Sequence, residues 1–175
     1  MEPNLVLVGF MGTGKTEVGK IIADRMKRDF VDIDDRIVGA VGMTINDIFS
    51  KQGEDFFRDI ESEMIEKCSA ATGMVISTGG GSLLRPKNVQ NLKRTGVLVW
   101  LVASPEEILR RVADDRHRPL LAVPDRISTV RAMLAKRIGS YQISDIRVNT
   151  EGRSLLATAE EVLLTYERFT RGWRR

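Results

Sequence analysis

Apolar runs alternate with segments of helical period along nearly the whole chain, and this alternation points to an α/β architecture. Leu5-Val6-Leu7-Val8 is a continuous apolar run, as carried by a strand buried on both faces. Residues 15–27 follow with the spacing of a helix. Residues 30–34 read as a short extended strand ending in Asp32 and Asp34, two apart and therefore on one face. Helical segments at 35–41 and 44–51 come next, the second capped by Thr44. Gly53 breaks the chain before a longer helix at 54–70, with Phe56, Phe57, Ile60, Met64, Ile65 and Cys68 on its apolar stripe.

A third strand at 74–77 runs into Thr78-Gly79-Gly80-Gly81-Ser82, and Pro86 opens a helix to about 94. Residues 97–102 form the most hydrophobic strand. Ser104, Pro105 and Glu107 then have the spacing of a capping box, opening a helix to about 112. Residues 113–124 carry no sustained apolar period and read as an exposed loop or lid. Asp125 caps a helix to 141, residues 145–149 make a last strand, and 155–169 a closing helix. Five strands alternating with helices predict a parallel sheet covered on both faces, an α/β/α sandwich in a single domain over 1–175.

Composition narrows the class without deciding it. A chain of 175 residues, 42% hydrophobic and 29% charged, suits one soluble domain. No apolar run approaches the roughly 18 residues that cross a bilayer, and the N-terminus lacks a secretory pattern, so a cytoplasmic protein is expected. The single cysteine, Cys68, excludes an internal disulfide and reads as a buried structural thiol. His117 is the only histidine, which argues against a histidine metal cluster or a Ser-His-Asp triad. The net charge of +3 and pI near 9.2 come without a basic stripe interleaved with aromatics, so no nucleic-acid partner is expected.

The decisive chemistry lies after the first strand. Gly9-Phe10-Met11-Gly12-Thr13-Gly14-Lys15-Thr16 is a phosphate-binding loop between a strand and a helix. Such a loop turns backbone N–H groups around anionic oxygens at a helix N-terminus. Its lysine reaches the β/γ-phosphates, and the hydroxyl of Thr16 is suited to Mg²⁺. In a doubly wound sheet the ligand site lies at the carboxyl ends of the strands, where Asp32, Asp34 and the triple glycine also fall. One carboxylate then suits hydrated Mg²⁺ and the other the acceptor. Three consecutive glycines fit backbone lying against a ligand, with a plain flexible turn as the alternative.

The P-loop, Asp32-Ile33-Asp34, the stretch from Ile48-Phe49 to Phe57-Arg58, Gly79-Gly80-Gly81 and Arg118-Pro119-Leu120-Leu121 together resemble the shikimate kinases in order and spacing. Only the first of these is generic to nucleotide-binding proteins. The resemblance spans about 4–153 and implies Mg²⁺- and ATP-dependent phosphorylation of the shikimate 3-hydroxyl. It also implies a P-loop kinase fold with a mobile lid at about 113–124, an acceptor-binding region at about 33–61 and a sheet in the order 2-3-1-4-5.

Residue by residue, Lys15, Asp34 and Arg118 resemble the catalytic groups, Asp34 binding shikimate hydroxyls and standing as candidate proton acceptor. Arg58, Arg137 and the Gly80 backbone N–H resemble contacts to the shikimate carboxylate and ring, above an apolar wall of Phe49 and Phe57. Gly12, Thr13, Gly14, Lys15 and Thr16 resemble the phosphate cradle, and Arg118 the lid arginine that crosses the transferring phosphate. Arg111 and Arg153 resemble adenine-side contacts, with Arg110 an adjacent candidate, and Thr16 and Asp32 the magnesium residues. Two departures stand out: Asp114-Asp115-Arg116-His117 makes the lid locally charged, and Arg137 is followed by Ile138-Gly139-Ser140-Tyr141 where members more often carry Arg, then Pro or Leu, then Tyr. A monomer is expected. Another small P-loop kinase, such as gluconate kinase or a nucleoside monophosphate kinase, is the nearest alternative; gluconate also offers a carboxylate and hydroxyls, but the Phe49 and Phe57 pair favours a ring over an open polyol.

Overall fold

The structure, a computed structural model, describes residues 2–113 and 124–172. The bulk of the expected lid, with His117 and Arg118, lies outside the described residues. Five strands form one sheet: β1 (Asn4–Val8), β2 (Phe30–Asp32), β3 (Val75–Ser77), β4 (Gly96–Val102) and β5 (Ile146–Asn149). All pairings are parallel and the order is β2-β3-β1-β4-β5, with Leu5 beside Val75 on one side and Val97 on the other.

Alternation within the apolar strands divides the core in two. Leu5 and Leu7 of β1 join Val75, Val97, Val99 and Leu101 on one face, beneath α1 (Lys15–Met26) and α7 (Leu155–Thr170). Val6 and Val8 join Ile76, Leu98 and Trp100 on the other. That second face is covered by α2 (Ile33–Val41), α3 (Ile45–Cys68), α4 (Pro86–Thr95), α5 (Pro105–Arg111) and α6 (Arg126–Tyr141). Each fully buried Leu or Ile contributes about 1.5–3 kcal/mol of apolar transfer, so the two-faced burial of β1 and β4 fixes their register.

Helix ends follow side-chain chemistry. Thr44, Asp125 and Ser154 each accept from a backbone N–H three residues on, capping α3, α6 and α7. Gly53 has φ 86° and ψ 173°, a kink that divides α3 where the sequence predicts a break.

Four expectations need correction. Phe30 to Asp34 is not one extended strand: β2 stops at Asp32, whose carboxylate caps the next helix by accepting from the Asp34 N–H at 3.0 Å. Asp32 and Asp34 therefore meet through a helix N-terminus and not through strand alternation. The capping box at α5 is only half formed. Glu107 donates its N–H to Ser104, but its carboxylate turns to Arg110 and Arg111, and Glu151 takes the Ser104 N–H. Phe56 is exposed, because the α3 stripe turns Phe57 inward instead. Cys68 is half-buried at the edge of the core, with burial pushing its thiol pKa up.

Asn4 is the polar tie within this apolar frame. Its amide donates to Ala71 O at 2.7 Å and Thr95 Oγ1 at 3.3 Å, while its oxygen accepts from Met74 N at 2.8 Å. One fully buried side chain thus joins the start of β1 to the turn before β3 and the end of α4. Asn4→Ala leaves the Met74 N–H without this acceptor and is expected to cost about 1–3 kcal/mol in urea unfolding. A loss below about 0.5 kcal/mol would show that water satisfies these groups instead.

Candidate active site

The P-loop follows β1 at the centre of the sheet, where strand order reverses direction. At Gly9, with φ 140°, an added Cβ would lie 2.5 Å from Leu101 O, so no side chain fits. Gly14 stands at the N-cap of α1 and supplies no side-chain cap, leaving the first-turn N–H groups to an anion. Lys15 Nζ bends back over the loop, donating to Gly9 O and Phe10 O at 2.9 Å each. Thr13 Oγ1 donates to Phe10 O at 2.8 Å and stiffens the same turn.

Thr16 Oγ1 donates to Asp32 Oδ2 at 2.8 Å, so the two residues assigned to magnesium meet at the end of β2. Among the described residues no cluster of three acidic, His or Cys side chains could hold a metal by itself. A hydroxyl and one carboxylate beside a phosphate cradle fit Mg²⁺, which keeps several waters and relies on nucleotide phosphates.

Beside this loop opens a cavity of about 520 Å³. Phe49 and Phe57 form its apolar wall, ring centroids 4.6 Å apart. Arg58, Arg137, Asp34 and the Gly79–81 turn supply its polar lining. The Arg58 guanidinium lies against Gly81, where a Cβ would sit 2.4 Å from Nη2. Its Nη1 donates to Glu61 at 2.7 Å, and Glu54 accepts from the other side at 3.2 Å.

Glu61, which the sequence reading missed, is fully buried and also accepts from Ser82 Oγ at 2.6 Å. Its signal was its position three residues after Arg58 on one helix face, which reads equally well as a surface ion pair. Asp34 Oδ1 is buried in the cavity wall without a hydrogen-bond partner among the described residues. Burial foremost, then the charges of Asp32 and Glu61, push the Asp34 carboxyl up to about 6, with Lys15 and Arg58 pulling the other way.

A second cavity, about 280 Å³, lies on the far side of the P-loop and is lined by Thr13, Gly14, Arg111 and Arg153. Arg111 is anchored there, donating to Thr150 O at 2.6 Å and to Glu107 at 2.7 Å, whereas Arg110 is exposed and pairs with Glu107. The structure therefore brings Lys15, Thr16, Asp32 and Asp34 together, gathers Phe49, Phe57, Arg58, Gly80 and Arg137 around one cavity, and places Arg111 and Arg153 at the other. Arg118 lies outside the described residues.

The shikimate kinase family profile matches residues 11–167. The chain belongs to the shikimate kinase family. A curated family member from Thermodesulfovibrio yellowstonii is 45% identical over 169 residues, covering 97% of this chain and 98% of its own. The solved shikimate kinase from Acinetobacter baumannii, in complex with shikimate, superposes with a TM-score of 0.92 at 32% identity, covering 99% of this chain and 97% of that one. A gluconokinase from Sinorhizobium meliloti 1021 superposes with a TM-score of 0.61 at 17% identity, a likeness of fold alone. Among the described residues no helix is long and apolar enough to cross a membrane.

The orphaned oxygen of Asp34 makes the pH dependence of stability predictable. With the folded pKa near 6 and an ordinary value of 3.8, the native state binds more protons between these limits. Stability therefore falls as pH rises through that window, and the full cost is present above about pH 6. Asp34→Asn should be more stable than the parent at about pH 7.5, by up to about 3 kcal/mol, with the advantage lost below about pH 4. Urea unfolding of both apoproteins across that range tests this. Parallel curves would mean that Asp34 carries no uncompensated charge.

Proposed function

We propose that this site transfers the γ-phosphoryl group of ATP to the 3-hydroxyl of shikimate, giving shikimate 3-phosphate and ADP for the chorismate route to aromatic amino acids. The observation that carries this reading is a cavity beside the P-loop that brings together a carboxylate, Asp34, two arginines and an aromatic wall. A cyclic hydroxy acid offers a match to each part: an apolar face, a carboxylate and hydroxyl groups. An open polyol acid such as gluconate has no apolar face for Phe49 and Phe57.

On this reading the nucleotide phosphates occupy the α1 N-terminus, and Lys15 exchanges the Gly9 and Phe10 carbonyls for the β/γ-phosphates. The base of ATP enters the cavity beside Arg111 and Arg153. Thr16 and Asp32 hold Mg²⁺, which when bound neutralises charge on the phosphates. Asp34, ionised above about pH 6, orients the acceptor hydroxyl and receives its proton. Arg58 and Arg137 take the carboxylate, with exposed Glu54 as the partner that Arg58 releases and buried Glu61 as the one it keeps. The Gly80 N–H adds a contact to the acceptor, residues at about 33–61 form the acceptor-binding region, and Arg118 arrives with a lid at about 113–124. The same reading makes the protein a cytoplasmic, monomeric, single-domain enzyme with no membrane or nucleic-acid partner.

Two experiments test this. Positioning and charge stabilisation account for nearly all phosphoryl-transfer catalysis, so Lys15→Met should fold normally by circular dichroism and lose turnover by orders of magnitude. Near-parental turnover would remove Lys15 from the reacting centre. In a coupled ADP-release assay, shikimate methyl ester should be a poor substrate although its reacting hydroxyl is intact. Arg58→Ala and Arg137→Ala should each raise KM for shikimate at least about tenfold, and much less for ATP. An ester phosphorylated as well as the acid, or gluconate used in preference to shikimate, would overturn the acceptor assignment.

A further inference from the structure

Three consecutive glycines have little of their own to hold a single shape, yet Gly79, Gly80 and Gly81 all line the acceptor cavity. The restraint comes from α6. The Tyr141 hydroxyl donates to Gly80 O, and Arg137, one helical turn earlier, reaches the same carbonyl at 3.5 Å. The Tyr141 ring is 1% exposed and stacks on Trp100, centroids 5.7 Å apart. Trp100 in turn packs at the root of the P-loop, its Cδ1 3.4 Å from where a Gly9 Cβ would be. The glycine turn also rests on that loop, since a Gly80 Cβ would lie 3.4 Å from Met11 N.

We propose that Tyr141 is a positioning residue for the acceptor site: its hydroxyl fixes the Gly80 carbonyl, and through it the glycine turn that faces the substrate. The inference rests on the acceptor reading above. A ring at this place fills the core whether or not it carries oxygen, and Phe would avoid burying a hydroxyl. The hydroxyl therefore serves the turn and not the packing. Held at its carbonyl, the Gly80–Gly81 peptide plane cannot turn freely, so the Gly81 N–H in that plane keeps one direction and the turn as a whole keeps its place beside Arg58 and Arg137. Burial raises the phenol to about 12, so the hydroxyl remains a donor throughout the working pH range.

Tyr141→Phe removes the donor and leaves the stacked ring in place. In the ADP-release assay the variant should show KM for shikimate raised about five- to tenfold, the loss of one buried hydrogen bond, with KM for ATP within about twofold of the parent. Amide hydrogen exchange in the apoprotein should quicken over 78–84, with β4 and α4 unchanged. A lowered Tm with both KM values parental would make the hydroxyl structural only and overturn the proposal. Equal rises in both KM values would overturn it too, as would unchanged exchange over 78–84. A parent inactive on shikimate defeats the acceptor reading and this proposal together; an active parent with an unaltered Phe variant defeats this proposal alone.

Discussion

Two carboxylates removed from water within reach of one another set the terms for the whole acceptor side. Glu61 is tolerable at full burial because Arg58 and Ser82 satisfy its two oxygens. Asp34 has no such partner for Oδ1 among the described residues, and its charge is the more expensive for Glu61 being near. Both press on Gly79, where a Cβ would lie 2.8 Å from Glu61 and 3.0 Å from Asp34. Gly79 is thus favoured by packing around the charges, and Gly81 by the Arg58 guanidinium. On the proposed reading, an acceptor hydroxyl that donates to Asp34 offsets part of the cost of this buried charge.

The fold was legible in the sequence wherever burial on both sheet faces forced long apolar runs. Leu5-Val6-Leu7-Val8 and residues 97–102 are central strands with no solvent-facing positions to confuse the pattern. Caps were legible for a different reason, since Thr44 and Asp125 act within three residues of themselves. What escaped depends on contacts between distant segments. Asp34 was assigned to a strand because its neighbours Phe30 and Val31 are β-formers, and the Asp32 cap that ends the strand leaves no periodic signature. Glu61 carries no distinguishing signal in the sequence, and its burial comes with the approach of Ser82 from beyond β3 and of the Gly79 turn. The Glu107 carboxylate likewise abandons its capping role because Arg111 needs a partner while spanning to Thr150.

The site residues divide in the same way. The phosphate cradle is contiguous in sequence, and its glycines, lysine and threonine could be assigned with one motif in view. The cavity draws on α2, α3, the β3 turn and α6; Asp34 and the triple glycine were legible at the strand ends, but Phe49, Phe57, Arg58 and Arg137 were found only through a resemblance that spans the chain. Tyr141 shows the limit of that route, because a tyrosine at a helix end carries no chemical signal until its hydroxyl is seen at Gly80.

The two arginines of the acceptor cavity are not equivalent, and the difference follows from charge alone. Arg58 is matched by Glu61 inside and Glu54 outside, so its positive charge is already balanced before any substrate arrives. Arg137 contacts the Gly80 carbonyl and lies over the Phe10 ring, with no carboxylate paired to it among the described residues. A carboxylate binding as proposed would have to displace Glu54 to reach Arg58, but would meet at Arg137 a cation held by a carbonyl dipole and an aromatic face. On the proposed reading, Arg137 then supplies the net attraction that draws the anion in, and Arg58, fixed by Glu61, the direction in which it is held.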